Sequence, residues 1–167
     1  MAFYSSGVEY GIHSLMYMVD SRGDARDMSV REIADLQNVP YDYLAKIFTR
    51  LSKAGLVRSS EGKGGGFQLA QPAEDITVLD VVNAIDGDKS IFECREIRQR
   101  LALFDQQPPG WACEGICGVR TVMDMAQQRM EEALAQHTIL DLTRKMYRKA
   151  PDAFVVEVQD WIAARKG

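Results

Sequence analysis

"SVREIADLQNVPYDYLAKIFTRLSKAGLVRSSEGKGGGFQLA", residues 29–70, decides the fold. Ser29 is followed three residues later by Glu32, a capping box that starts a short helix ending near Asn38. Pro40 suits the first turn of the next helix, over 40–54. Leu44, Ile47, Phe48, Leu51 and Ala54 give that helix an apolar stripe at helical spacing. Gly55 ends it, Val57 opens a short strand, "EGKGGG" turns, and "FQLA" returns as the partner strand. Helix, turn, helix and a glycine-tipped ribbon together are the winged helix-turn-helix plan.

Outward from this stretch, the pattern is mainly α. Upstream, Ser5 or Ser6 caps a first helix over 6–21, whose apolar positions are Val8, Ile12, Leu15, Met16 and Val19, and "SRGDARD" turns the chain. Downstream, Thr77 and Asp80 start a fourth helix over 77–86, closed by Gly87. Residues 92–104 read as helix or loop, and "QQPPGWACEGICG", 106–118, as a Pro/Gly-rich loop. A long helix follows over 117–135, Thr138 and Asp141 start another, and a last short one lies around 154–162. The expected organisation is a winged domain over 1–86, a cysteine-bearing region over 87–118, and a long helix with C-terminal helices over 119–167.

Composition fits a protein of the cytoplasm. The chain is 46% hydrophobic and 26% charged, and no apolar run approaches the roughly 18 residues needed to span a bilayer. The first twenty residues lack a basic start and carry Glu9 and His13, so they make a poor signal peptide. Three cysteines, an odd number, favour metal or redox chemistry over a disulfide framework. The net charge of −4 argues against a protein that coats nucleic acid, but the charge is uneven. Lys46, Arg50, Lys53, Arg58 and Lys63 face a single acid, Glu61, within 43–70, whereas 71–137 is strongly acidic.

The third helix is the natural recognition helix, with Tyr43, Lys46, Arg50 and Lys53 on one face opposite the apolar stripe. Tyr41 and Tyr43 are placed to reach base edges or the sugar-phosphate backbone, and Lys46, Arg50 and Lys63 to pair with phosphates. The glycines of the wing tip, Gly65 among them, let Lys63 and backbone N–H groups come close to double-stranded DNA. "GKGGG" is not a nucleotide-binding loop, because a strand rather than a helix follows it. No Ser/His/Asp set or pocket-like carboxylate pair points to an enzyme.

"GVEYGIHSL", "IADLQNVPYDYLAKIFTRLSKAGLVRSSEGKGGGFQLA" and "ITVLDVVNAIDG" resemble the bacterial winged-helix iron–sulfur regulators that include IscR, NsrR and RsrR, over about residues 5–150. "FECREIRQR" and the Cys113-x-x-x-Cys117 loop are most similar to RsrR. The cysteines depart from the IscR and NsrR spacing, since 18 residues separate Cys94 from Cys113. The resemblance implies a homodimer on a palindromic operator, with the long C-terminal helix as dimer contact. It also implies a redox-sensing 2Fe–2S cluster at the dimer interface, held by Cys113 and Cys117 of one subunit with Glu9 and His13 of the other. Glu9 and His13 are four residues apart, one helical turn on one face. Tyr10, beside Glu9, is a candidate relay to the DNA-binding helices. The alternative is a cluster-free regulator of the same fold, switched by cysteine oxidation, with Cys94 a participant, or by a small-molecule effector.

Overall fold

A computed structural model describes residues 2–60 and 66–164. The elements are α1 (Ser6–Tyr17), α2 (Val30–Gln37), α3 (Tyr41–Lys53), β1 (Val57–Ser60), β2 (Gly66–Leu69), α4 (Val78–Asp86), a one-turn α5 (Gly110–Cys113), α6 (Gly118–Ala135), α7 (Ile139–Lys149) and α8 (Asp152–Ala163). The expected mainly helical winged architecture is the one observed. No helix among the described residues is long and apolar enough to cross a membrane.

Three helix starts follow from side chains that cap their own backbone. Ser29 with Glu32, Thr77 with Asp80 and Thr138 with Asp141 each form a reciprocal capping box. Asn38, at φ 53°, ends α2 in the left-handed conformation that asparagine tolerates. The interior faces of α1, α3 and α4 then converge. Leu15, Leu44, Phe48, Leu51 and Val81 are all at most 1% exposed. α1 reaches α4 closely because residue 11 is glycine, and a Cβ there would collide with Ile85 Cδ1.

β1 and β2 pair antiparallel, with Val57 opposite Leu69 and Ser60 opposite Gly66. The other edge of β2 is occupied too: Met28 and Phe67 exchange both backbone hydrogen bonds, at 3.0 and 2.9 Å. Gly66 permits this, since a Cβ there would lie 3.1 Å from the Met28 carbonyl oxygen.

Contacts gather into two compact units, Met1–Gly87 with Leu134–Gly167, and Asp88–Ala133. The winged unit thus takes in α7 and α8, which the expected 119–167 segment grouped with α6. The physical reason is burial: Ile139 and Leu140 of α7 and Val158 and Ile162 of α8 join the same core as α1 and α4. The Ile139 N–H donates to the Ile76 carbonyl at 2.9 Å. In the second unit, 3₁₀ turns at Ile97–Gln99 and Ala102–Phe104 and the single turn of α5 replace the expected helix-or-loop and loop.

α1 also differs from its expected range. It stops at Tyr17, because Met18 and Val19 leave the helix and Val19 forms a bridge with Ala25. Both side chains are fully buried, so the apolar pattern that suggested a helix to residue 21 reflects core burial instead. The expected last helix around 154–162 is α8, which at 12 residues extends slightly beyond that range at both ends.

Candidate functional site

α3 presents an outward face opposite its buried stripe of Leu44, Ile47, Phe48 and Leu51. Lys46 and Lys53 are exposed on it, as are Asp42 and Thr49. Thr49 turns its hydroxyl inward and donates to the Ala45 carbonyl at 2.9 Å. Tyr41, at the start of α3, is 41% exposed, and the Arg31 guanidinium of α2 lies 4.6 Å over its ring.

Tyr43 and Arg50 occupy the flank of α3 that meets its neighbours. The Tyr43 hydroxyl shares a 3.2 Å hydrogen bond with Ser6 Oγ, and its ring meets that of Tyr10 edge-on. Arg50, expected at a phosphate, is exposed and is also anchored within the protein. Its guanidinium donates to the Ile85 carbonyl in the last turn of α4, where the unpaired carbonyls and the helix dipole favour a cation. Lys63 and Gly65 lie outside the described residues. One cationic candidate, Arg31, went unread in the sequence; Arg58, counted in the basic segment but given no role, is exposed on β1 and reaches Gln68 Oε1 at 3.5 Å. Arg31 had a signal, since it falls in the first turn of the helix preceding the recognition helix.

The expected cluster ligands fall in two groups. Glu9 and His13 are both exposed on α1, one turn apart, and border a shallow hollow with Tyr4, Ser5 and Ile12. The His13 ring lies 6.2 Å from that of Tyr17. Tyr10 is half-buried between Glu9 and the core.

The second group belongs to the unit 88–133. Cys113 ends α5 and is exposed; Cys117 directly precedes α6 and is half-buried. The Arg120 and Val119 amides of the first turn of α6 hold the Cys117 thiol below its ordinary range, with Arg98 adding to the effect. Arg98 also grips the loop between the cysteines, donating from Nη1 to the Glu114 carbonyl at 2.8 Å and from Nη2 to the Gly115 carbonyl at 2.5 Å. Cys94 turns its thiol toward Glu96 Oε1 at 3.6 Å.

Among the described residues no three His, Cys, Asp or Glu side chains of one chain form a metal-holding group. The donor chemistry nonetheless fits the expected cluster: two thiols free of any disulfide, an accessible carboxylate and an accessible imidazole.

Residues 4–145 match the sequence profile described as "Rrf2: Iron-dependent Transcriptional regulator". Protein rrf2 of Nitratidesulfovibrio vulgaris is 33% identical over 135 residues, covering 81% of this chain and 83% of its own length. The HTH-type transcriptional regulator NsrR of Bacillus subtilis is 25% identical over 136 residues, covering 81% and 86%. Among solved structures, CymR, the global cysteine regulator of B. subtilis, superposes with a TM-score of 0.64 at 24% identity, over 86% of this chain and 97% of that one. IscR of T. potens does so with a TM-score of 0.59 at 23% identity, over 91% and 90%. The two structures establish the fold, while the profile and the rrf2 relative carry the kinship. With its winged helix-turn-helix and basic recognition helix, the chain belongs to the Rrf2 family of DNA-binding transcriptional regulators.

Proposed function

We propose that this regulator acts as a homodimer on a palindromic operator. Its DNA affinity follows the redox state of a 2Fe–2S cluster shared between protomers. Cys113 and Cys117 of one protomer and Glu9 and His13 of the other are the ligands, the RsrR-like set. The observation that carries the reading is α1 itself: its two metal-competent side chains stand exposed one turn apart, on the helix that also touches the recognition helix through Tyr10 and Ser6.

When bound, the cluster supplies a one-electron change of charge at low cost in rearrangement. The remaining work belongs to the chain. Arg98 and the α6 amides support the cysteine pair. Ser6 and Tyr10 tie α1 to Tyr43, so a displacement of α1 is felt by α3. Lys46, Lys53, Tyr41 and the wing residues Lys63 and Gly65 meet the DNA. Val119, Val122 and Met125 are 57–64% exposed along α6, a three-residue-spaced apolar stripe suited to a second copy. Coupling of this kind amounts to about 1–3 kcal/mol, or roughly 5–150-fold in operator affinity.

The test is the visible spectrum with iron and sulfide content of protein purified without oxygen, before and after dithionite. Absorption between about 300 and 600 nm that bleaches reversibly, with about two irons per chain, is expected. Its loss in Cys113→Ala and His13→Ala completes the case. A colourless, iron-free protein overturns the reading.

One observation favours a second reading. Cys94, Cys113 and Cys117 are all free, and the lowered Cys117 thiol is the reactive kind. Oxidation of two thiols to a disulfide would pass two electrons and two protons to a peroxide. A colourless protein whose operator complex is lost on peroxide treatment would establish that thiol switch.

A further inference from the structure

Arg98 has no role in the recognition of DNA or in the expected ligand set, yet it is among the most engaged side chains of the unit 88–133. Its guanidinium spends donors in two directions. Nη1 and Nη2 bond the carbonyls of Glu114 and Gly115, which lie between the two cysteines. Nε bonds Glu96 Oε2 at 3.2 Å, and the Arg98 side chain is 25% exposed.

Glu96 is itself held. Its Oε1 accepts from the Cys94 thiol and its Oε2 also accepts from Gln99 Nε2. Its backbone takes φ 49°, a left-handed conformation that a non-glycine residue keeps only when its surroundings fix it. Gly115, at φ 63°, supplies the sharp turn that aims both loop carbonyls the same way. A planar fork with fixed donors suits this two-carbonyl grip, which a lysine cannot reproduce.

From this geometry we infer that Arg98, oriented by Glu96, is the positioning residue that sets the Cys113–Cys117 pair for metal binding. The role rests on the proposed function, because it presumes that the pair binds iron. It also gives Cys94 a place outside the ligand set, as a thiol that supports Glu96.

Two measurements on the full-length protein separate this inference from the reading beneath it. The first is hydrogen–deuterium exchange of metal-free protein, read on peptides spanning 112–118, with peptides of α1–α4 as internal control. Arg98→Gln is expected to raise exchange in 112–118 about tenfold, the loss expected for charged hydrogen bonds, and to leave the control unchanged. Arg98→Lys should restore part of the protection, and Glu96→Gln should raise exchange less than Arg98→Gln. The second is the rate at which protein reconstituted with iron and sulfide loses its visible absorption to a chelator, expected to be about tenfold faster in Arg98→Gln.

Unchanged exchange in Arg98→Gln overturns the grip itself. Faster exchange with unchanged chelation kinetics overturns the positioning role. Wild-type protein that takes up no iron overturns the cluster reading and with it the purpose assigned to Arg98, while the exchange data still report whether the loop is held.

Discussion

The ring of Tyr10 meets the ring of Tyr43 edge-on, with centroids 5.7 Å apart and planes at 86°. One belongs to α1 and the other to α3, so this pair joins the helix that carries Glu9 and His13 to the proposed recognition helix. Edge-to-face pairs add about 0.5–1.5 kcal/mol beyond burial. A double-mutant cycle with Tyr10→Leu and Tyr43→Leu, read by urea unfolding, should give a coupling energy of about 1 kcal/mol. The oxidised-to-reduced difference in operator affinity should shrink in either single variant. Strict additivity with an unchanged affinity difference would remove Tyr10 as a relay.

Arg50 and Lys46 lie one turn apart on α3 and should behave oppositely. Arg50→Gln gives up the bond to the Ile85 carbonyl and should cost about 1–2 kcal/mol of stability. Lys46→Ala touches nothing in the core and should leave stability within about 0.5 kcal/mol. It should instead lower the slope of log affinity against log salt by about 0.9, one phosphate contact. Denaturant melts and operator titrations at several salt concentrations distinguish the two.

Gly11 should resist replacement for a reason that a second substitution can remove. An alanine gains up to about 1 kcal/mol in helix propensity, but its Cβ runs into Ile85 Cδ1 in the core. Gly11→Ala alone should therefore destabilise by about 1–2 kcal/mol. In an Ile85→Val background, which lacks the colliding methyl, the same change should be neutral or stabilising. Equal costs in both backgrounds would refute the steric account.

The Thr138–Asp141 capping box should impose a pH dependence. The Thr138 backbone and side-chain bonds hold the Asp141 carboxyl below the ordinary carboxylate range. Because the folded value is the lower one, this stabilisation is complete above the unfolded value and is lost as pH falls through the folded value. Thr138→Ala should cost about 1 kcal/mol near neutrality and progressively less as acid protonates Asp141. A cost independent of pH between neutrality and acid would show that the Thr138 hydroxyl does not support the carboxylate.

What could be read in the sequence was local. Ser29 with Glu32, Thr77 with Asp80 and Thr138 with Asp141 each lie within four residues, and each marked a helix start that the structure keeps. The wing was legible because its two strands are short and its turn is glycine-rich. What escaped depends on distant partners. Met18 and Val19 continue the apolar period of α1 yet leave the helix, because their burial is set by other elements. The bond of Arg50 to the Ile85 carbonyl could not be read because its acceptor is 35 residues away. The grip of Arg98 spans 16 and 17 residues and leaves no periodic trace. Glu9 and His13 could be placed on one helical face from spacing alone, but their relation to Cys113 and Cys117 is a matter between two chains in the proposed assembly.

The winged unit is built from two separate lengths of chain, and residues 88–133 leave it and return to it. Both stems are fastened. Ser5 holds Asp86 through its N–H and its hydroxyl, and the chain at Thr77 bridges the chain at Thr138. The cysteine region is thus a closed excursion from a body whose ends are already joined. Closing such a loop costs free energy that rises only logarithmically with length, about 0.6 kcal/mol for each doubling. Residues can therefore be added or removed between the stems at almost no cost to the DNA-reading body. The 18 residues between Cys94 and Cys113 lie wholly within that excursion, so lengthening or shortening the interval between the thiols should leave the stability of the winged unit nearly unchanged.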